Sequence, residues 1–102
     1  MKRKIKPVHP GRILYDEFMV PAGISQYRLA RATGLSQVQV GNIVRGKRGI
    51  TAETALRLQH ALGMSAQTWM NLQTLYELEK VMVESGRRIE KTTARLNLRS
   101  AA

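Results

Sequence analysis

The stretch SQYRLARATGLSQVQVGNIVR, residues 25–45, decides the fold. It divides at Gly34. Ser25 can cap a helix that carries Leu29, Ala30 and Ala32, because its hydroxyl can accept from one of the unpaired N–H groups of the first turn. Gly34 takes the left-handed conformation without steric cost, and so makes a natural helix stop. Ser36 then opens a second helix. Gln39 follows three residues later, which is a capping-box pattern. Val40, Ile43 and Val44 form the buried face of this second helix, and Gly46 closes it. Two short helices joined by the tight turn Thr33-Gly34-Leu35 read as a helix-turn-helix unit. Ala30 is small enough to let the second helix cross closely, and Leu35 is an apolar plug in the turn.

The opposite face of the second helix carries Gln37, Val38, Gln39 and Asn42. Amide side chains can make paired hydrogen bonds to adenine in the major groove, and a valine can meet a thymine methyl. The N-terminal end of a recognition helix is where such residues reach base edges. A helix face serving solubility alone more often carries Glu and Lys. The flanks suit phosphate. Gln26 stands at the start of the first helix, where backbone N–H groups and an amide can hold one phosphate. Arg45, Lys47 and Arg48 place three charges in four residues just after the second helix. With about three to five phosphate contacts per subunit, binding should depend steeply on salt.

Working outward, the punctuation predicts an all-α chain of five helices. A first helix starts near Pro10, with Ile13, Leu14 and Phe18 on its apolar face, and ends at Pro21 and Gly23. A fourth helix is capped by Thr51, buries Ala55, Leu58 and Leu62, and ends at Gly63. A long fifth helix starts at Ser65 and runs to about Glu84. On this reading residues 1–9 are a basic tail, 10–84 the domain and 85–102 a basic, flexible tail. The fifth helix carries two apolar stripes: Trp69, Leu72 and Tyr76, then Leu75, Leu78 and Met82. The first is core before anything else. Together they are wider than one small core needs, so one is expected to face a second subunit.

The 102 residues suffice for one modest core. The formal net charge is +10. Residues 1–6 hold four Lys/Arg and no acid, and residues 85–102 hold five against Glu90. Residues 25–57 hold six bases, Arg28, Arg31, Arg45, Lys47, Arg48 and Arg57, against Glu53 alone. Positive charge concentrated in this way points to a polyanionic partner.

Other classes find little support. There is no cysteine, which rules out disulfides and thiolate metal sites and suits a reducing cytoplasm. Asp16 and Glu17 are neighbours on a helix, so their side chains diverge and make a poor acid–base pair. His9 and His60 lack further ligands at metal spacing. No Gly-rich phosphate loop leads into Lys-Ser or Lys-Thr. No apolar run approaches a membrane span, and no basic amphipathic helix with aromatic anchors suggests membrane-surface binding. The sequence therefore predicts no enzyme, no metal, no cofactor, no small-molecule ligand and no membrane contact.

The segments Leu29-Ala30-Arg31-Ala32-Thr33-Gly34-Leu35-Ser36 and Asn42-Ile43-Val44-Arg45-Gly46-Lys47-Arg48 resemble the phage-repressor-like (Xre) helix-turn-helix family. His9-Pro10-Gly11, Ile50 to Leu58, Ala61-Leu62-Gly63 and Trp69-Met70-Asn71-Leu72-Gln73 resemble the HigA antitoxins of bacterial toxin–antitoxin operons. The resemblance spans about residues 8–80. It implies a homodimer that represses its own operon by binding operator DNA. It also implies a partner, a HigB-type toxin similar to mRNA endonucleases, held inactive in complex. By position, Gln26, Ser36, Gln37, Val38, Gln39 and Asn42 match the DNA-contacting places of the family. Members often carry Arg directly after the cap serine, where this chain has Gln37. Two neighbouring readings remain: a stand-alone Xre-type regulator with no toxin, and a protein-interaction inhibitor that needs no DNA.

Overall fold

The computed structural model describes residues 6–99. Residues 1–5 of the expected N-terminal tail, and residues 100–102 of the C-terminal one, lie outside the described residues. Five helical segments follow one another, and no strand occurs among the described residues.

The first segment, α1, is continuous but not uniform. It is α-helical over Pro10–Ile13, π-helical over Leu14–Met19 and α-helical again over Val20–Ala22. The sequence reading stops this helix at Pro21 and Gly23 together. Instead Pro21 sits inside the segment, and Gly23 alone ends it with a φ of 63°. The widened stretch explains how. A proline cannot donate, and its ring crowds the carbonyl four residues back. Just before it, Val20 N–H reaches five residues back, to the Tyr15 carbonyl. Past the stop, Ile24 N–H closes onto the Met19 carbonyl at 2.8 Å.

The next three helices follow their caps. Helix α2, Gln26–Thr33, starts under Ser25 and stops at Gly34, whose φ is 78°. Helix α3, Gln37–Val44, starts under Ser36, and its capping box is complete. Gln39 N–H donates to Ser36 Oγ at 3.0 Å, and Ser36 N–H donates to Gln39 Oε1 at 2.9 Å. Helix α4, Ala52–Leu62, runs from Thr51 to Gly63.

Helix α5, Ala66–Thr92, outruns its expected end by two turns. Gly86 does not stop it. One glycine in a helix interior costs only about 1 kcal/mol relative to alanine, and no proline follows. The chain turns extended only at Thr93. Residues 87–92 are exposed on every side.

The core joins all five segments: Leu14 and Met19, Leu29 and Ala30, Val40 and Ile43, Ile50, Ala55 and Leu58, and Trp69. Phe18 packs against Trp69 with ring centroids 5.5 Å apart. One polar strut fixes the helix-turn-helix to α4. Arg57 donates to the Thr33 carbonyl at 2.9 Å and to Glu53 at 3.1 Å. Arg57 therefore serves the turn. Among the six internal bases it is the one committed to holding the fold.

Candidate nucleic-acid interface

Helix α3 buries Val40 and Ile43 and turns its other side outward. Ser36, Gln37 and Val38 are exposed, Val38 at 69%. Gln39 and Asn42 are half-buried, as is Gln26 at the start of α2. Arg45, Lys47 and Arg48 are exposed beyond the helix end. Gln26 and Arg45 meet over Gly41, and Asn42 joins Arg45, so the first turn of α2, the outer side of α3 and the start of the loop after it adjoin.

They are not equally free. Gln39 Oε1 accepts from Ser36 N–H in the capping box, so one of its two lone pairs is committed to the helix start, while its NH₂ stays available. Asn42 Oδ1 accepts from Arg45 Nη2 at 3.2 Å. Arg45 can only donate, so the amide oxygen is the atom that faces it. Gln37 and Val38 carry no such commitment.

The loop after α3 is laced down. Lys47 N–H and Arg48 N–H both donate to the Asn42 carbonyl, at 2.8 and 3.2 Å. Gly46 takes a φ of 74° and lies under the His9 ring. The far end is held by Gln73 on α5. Its Oε1 accepts from Ile50 N–H at 2.8 Å, and its Nε2 donates to Glu77 at 2.7 Å. A buried side chain on the long helix thereby sets where the charged loop sits.

His9 secures the third side. Its Nδ1 accepts from Gly11 N–H at 2.9 Å, which caps α1, and its ring meets Tyr76 edge-on at 4.8 Å. Its pKa lies below the ordinary 6.5. Burial is the main cause; a hydrogen bond with the Arg48 backbone opposes it, and the charge of Lys80 adds to it.

Sequence reasoning missed Gln73, His9 as a link, and Gly41. Gly41 had a signal. A glycine inside an otherwise unbroken helix often marks a close approach by another group. Here it is the bare floor on which Gln26 and Arg45 rest.

The dimer expectation divides. Trp69 is fully buried within the chain, packed on α1, and has no surface to offer a second subunit. Leu72 packs partly against the same core and Tyr76 is half-buried against His9. Leu75, Leu78 and Met82 remain exposed, joined by Val81 and Ile89. Among the described residues, no cluster of three or more His, Asp or Glu could hold a metal, and no helix is long and apolar enough to cross a membrane.

This arrangement defines a helix-turn-helix protein of the DNA-binding kind, and the comparisons narrow it. A helix-turn-helix family model matches residues 17–69. Virulence-associated protein I of Dichelobacter nodosus is 46% identical over 78 residues, which is 76% of this chain and 72% of that protein. Antitoxin HigA-1 of Vibrio cholerae is 38% identical over 77 residues, with the same coverage. The solved structure of the Pseudomonas aeruginosa antitoxin HigA with the higBA promoter superposes with a TM-score of 0.86 at 45% identity, over 89% of this chain and 99% of that one. The chain belongs to the helix-turn-helix family and, within it, to the HigA antitoxins.

Proposed function

We propose that this chain is a transcriptional repressor and antitoxin: a cytoplasmic, non-catalytic homodimer that binds the operator of its own operon and holds a HigB-type toxin inactive. The observation that carries the reading is the surface of α3. An uncharged hydrogen-bonding face, with an exposed valine at its centre, is bordered by Arg45, Lys47 and Arg48 at a loop fixed from three sides. Such a face suits base edges, and such a border suits phosphates. Relatives whose names include operator or promoter DNA support the same assignment.

The α5 stripe of Leu75, Leu78 and Met82 supplies the dimer contact, which sets two recognition helices about one helical turn of DNA apart. The test is a mobility shift on the DNA upstream of the gene, across a salt series, with wild type beside Gln37→Ala/Asn42→Ala. Sequence-specific binding with a steep salt slope, and specificity lost in the variant, is the expected result. Binding indifferent to sequence and variant would leave only polyanion affinity. Co-expression with a neighbouring short reading frame tests the toxin: relief of its growth arrest is expected.

A further inference from the structure

Arg45 follows α3 and at first sight belongs with Lys47 and Arg48 as a phosphate contact. Its side chain does something different. Both terminal nitrogens of its guanidinium lie 3.1 Å from where a Cβ on Gly41 would stand. Gln26 Oε1 lies 3.0 Å from the same point. The charged group has thus folded back one full turn, about 5.4 Å along the helix axis, toward the end that reads bases. Asn42 Oδ1 holds it there. Gly41 is buried by what rests on it, on a helix whose neighbours at 37 and 38 are exposed.

We propose that Arg45 is a specificity residue that reads a guanine in the major groove, with Gly41 as its seat and Asn42 as its positioning partner. The proposal rests on the DNA-binding reading above and deepens it. The chemistry follows from counting donors. Arginine has five N–H donors and no acceptor, and Asn42 has given one lone pair of its oxygen to Arg45. The pair therefore presents mainly donors. Guanine is the base whose major-groove edge offers two acceptors, N7 and O6, and a guanidinium meets both at once. Adenine, the natural partner of a free asparagine, needs an acceptor as well. Lys47 and Arg48, with backbones tied to the Asn42 carbonyl, keep the phosphate role.

The experiment measures wild type, Arg45→Ala and Arg45→Lys on the upstream fragment and on a set in which each base pair is replaced in turn. For wild type, replacing one G·C pair in each half-site should weaken binding about tenfold or more. Arg45→Ala should bind the original and that replaced site within about twofold of each other, with the penalties at other positions kept. Arg45→Lys retains the charge but not the planar fork, so it should keep the salt slope and weaken, without abolishing, the same G·C preference. Gly41→Ala, confirmed as folded by circular dichroism, crowds Gln26 and Arg45 and should erode that preference too. If Arg45→Ala instead weakens every site equally and lowers the salt slope by about one, Arg45 grips a phosphate and the proposal is wrong. If wild type itself shows no preference among the fragments, the DNA-binding reading fails first.

Discussion

Gly11, in the first turn of α1, lies against the main-chain carbonyl of Ile43 near the end of α3, so closely that a Cβ would overlap the oxygen. The contact is backbone to backbone, so no side-chain rotation can relieve it. Gly11→Ala must push the recognition helix away from α1. Overpacking of this kind costs about 1–3 kcal/mol, and the rigid partner places it at the upper end. Thermal unfolding should show a loss of more than about 10 °C; an unchanged midpoint would mean that the two helices stand further apart.

Gln73 links the charged loop to α5 through Ile50 N–H. Gln73→Ala leaves that buried N–H without an acceptor, which costs about 1–3 kcal/mol. Gln73→Glu keeps an acceptor but places a second carboxylate against Glu77 and loses the donor between them. Urea titration should rank wild type above both variants. DNA affinity measured well below the unfolding midpoint should fall as well, because the loop loses its anchor.

His9 has its pKa lowered mainly by burial. The folded protein therefore takes up a proton less readily than the unfolded chain. The stability this contributes is present above the unfolded value of about 6.5 and is lost as pH falls through that value toward the lower folded one. A protonated Nδ1 also cannot accept from Gly11 N–H. His9→Asn keeps an N-cap acceptor but does not titrate. Melting temperatures from pH 7.5 to 5 should fall more steeply for wild type than for His9→Asn; parallel curves would remove His9 from the acid response.

Leu78 and Met82 are each 58% exposed in the single chain. Leu78→Glu/Met82→Glu should therefore leave the fold of one chain intact. Sedimentation should show wild type as a dimer and this variant as a monomer. Affinity for a complete operator should drop by roughly a hundredfold, because the second half-site contact is no longer tethered to the first.

The sequence is most legible where the physics is local. Ser25, Ser36, Thr51 and Ser65 cap as their spacing suggests, and Gly34 and Gly63 stop helices in left-handed conformations. The buried faces of α3 and α4 follow their periodicity at Val40, Ile43, Ala55 and Leu58, with Val44 and Leu62 only partly buried at their edges. What escapes depends on partners distant along the chain. Nothing near Arg57 announces the Thr33 carbonyl, and nothing near Gln73 announces Ile50. The end of α5 escapes for another reason. A single glycine is a weak stop when good helix formers such as Arg87, Arg88, Glu90 and Lys91 follow it. Pro21 is a stop only for a regular α-helix, and α1 accommodates it by widening.

The bare backbone at Gly41 also bears on how this protein can change over generations. Three positions, 26 on α2, 41 on α3 and 45 just past its end, share one small volume. A larger residue at any of them alters what the other two can reach, so their substitutions will not add independently. Lineages that shift to a new operator should therefore change these positions as a set. Among diverged relatives, the residues at 26, 41 and 45 should covary with one another and with the base pair they face.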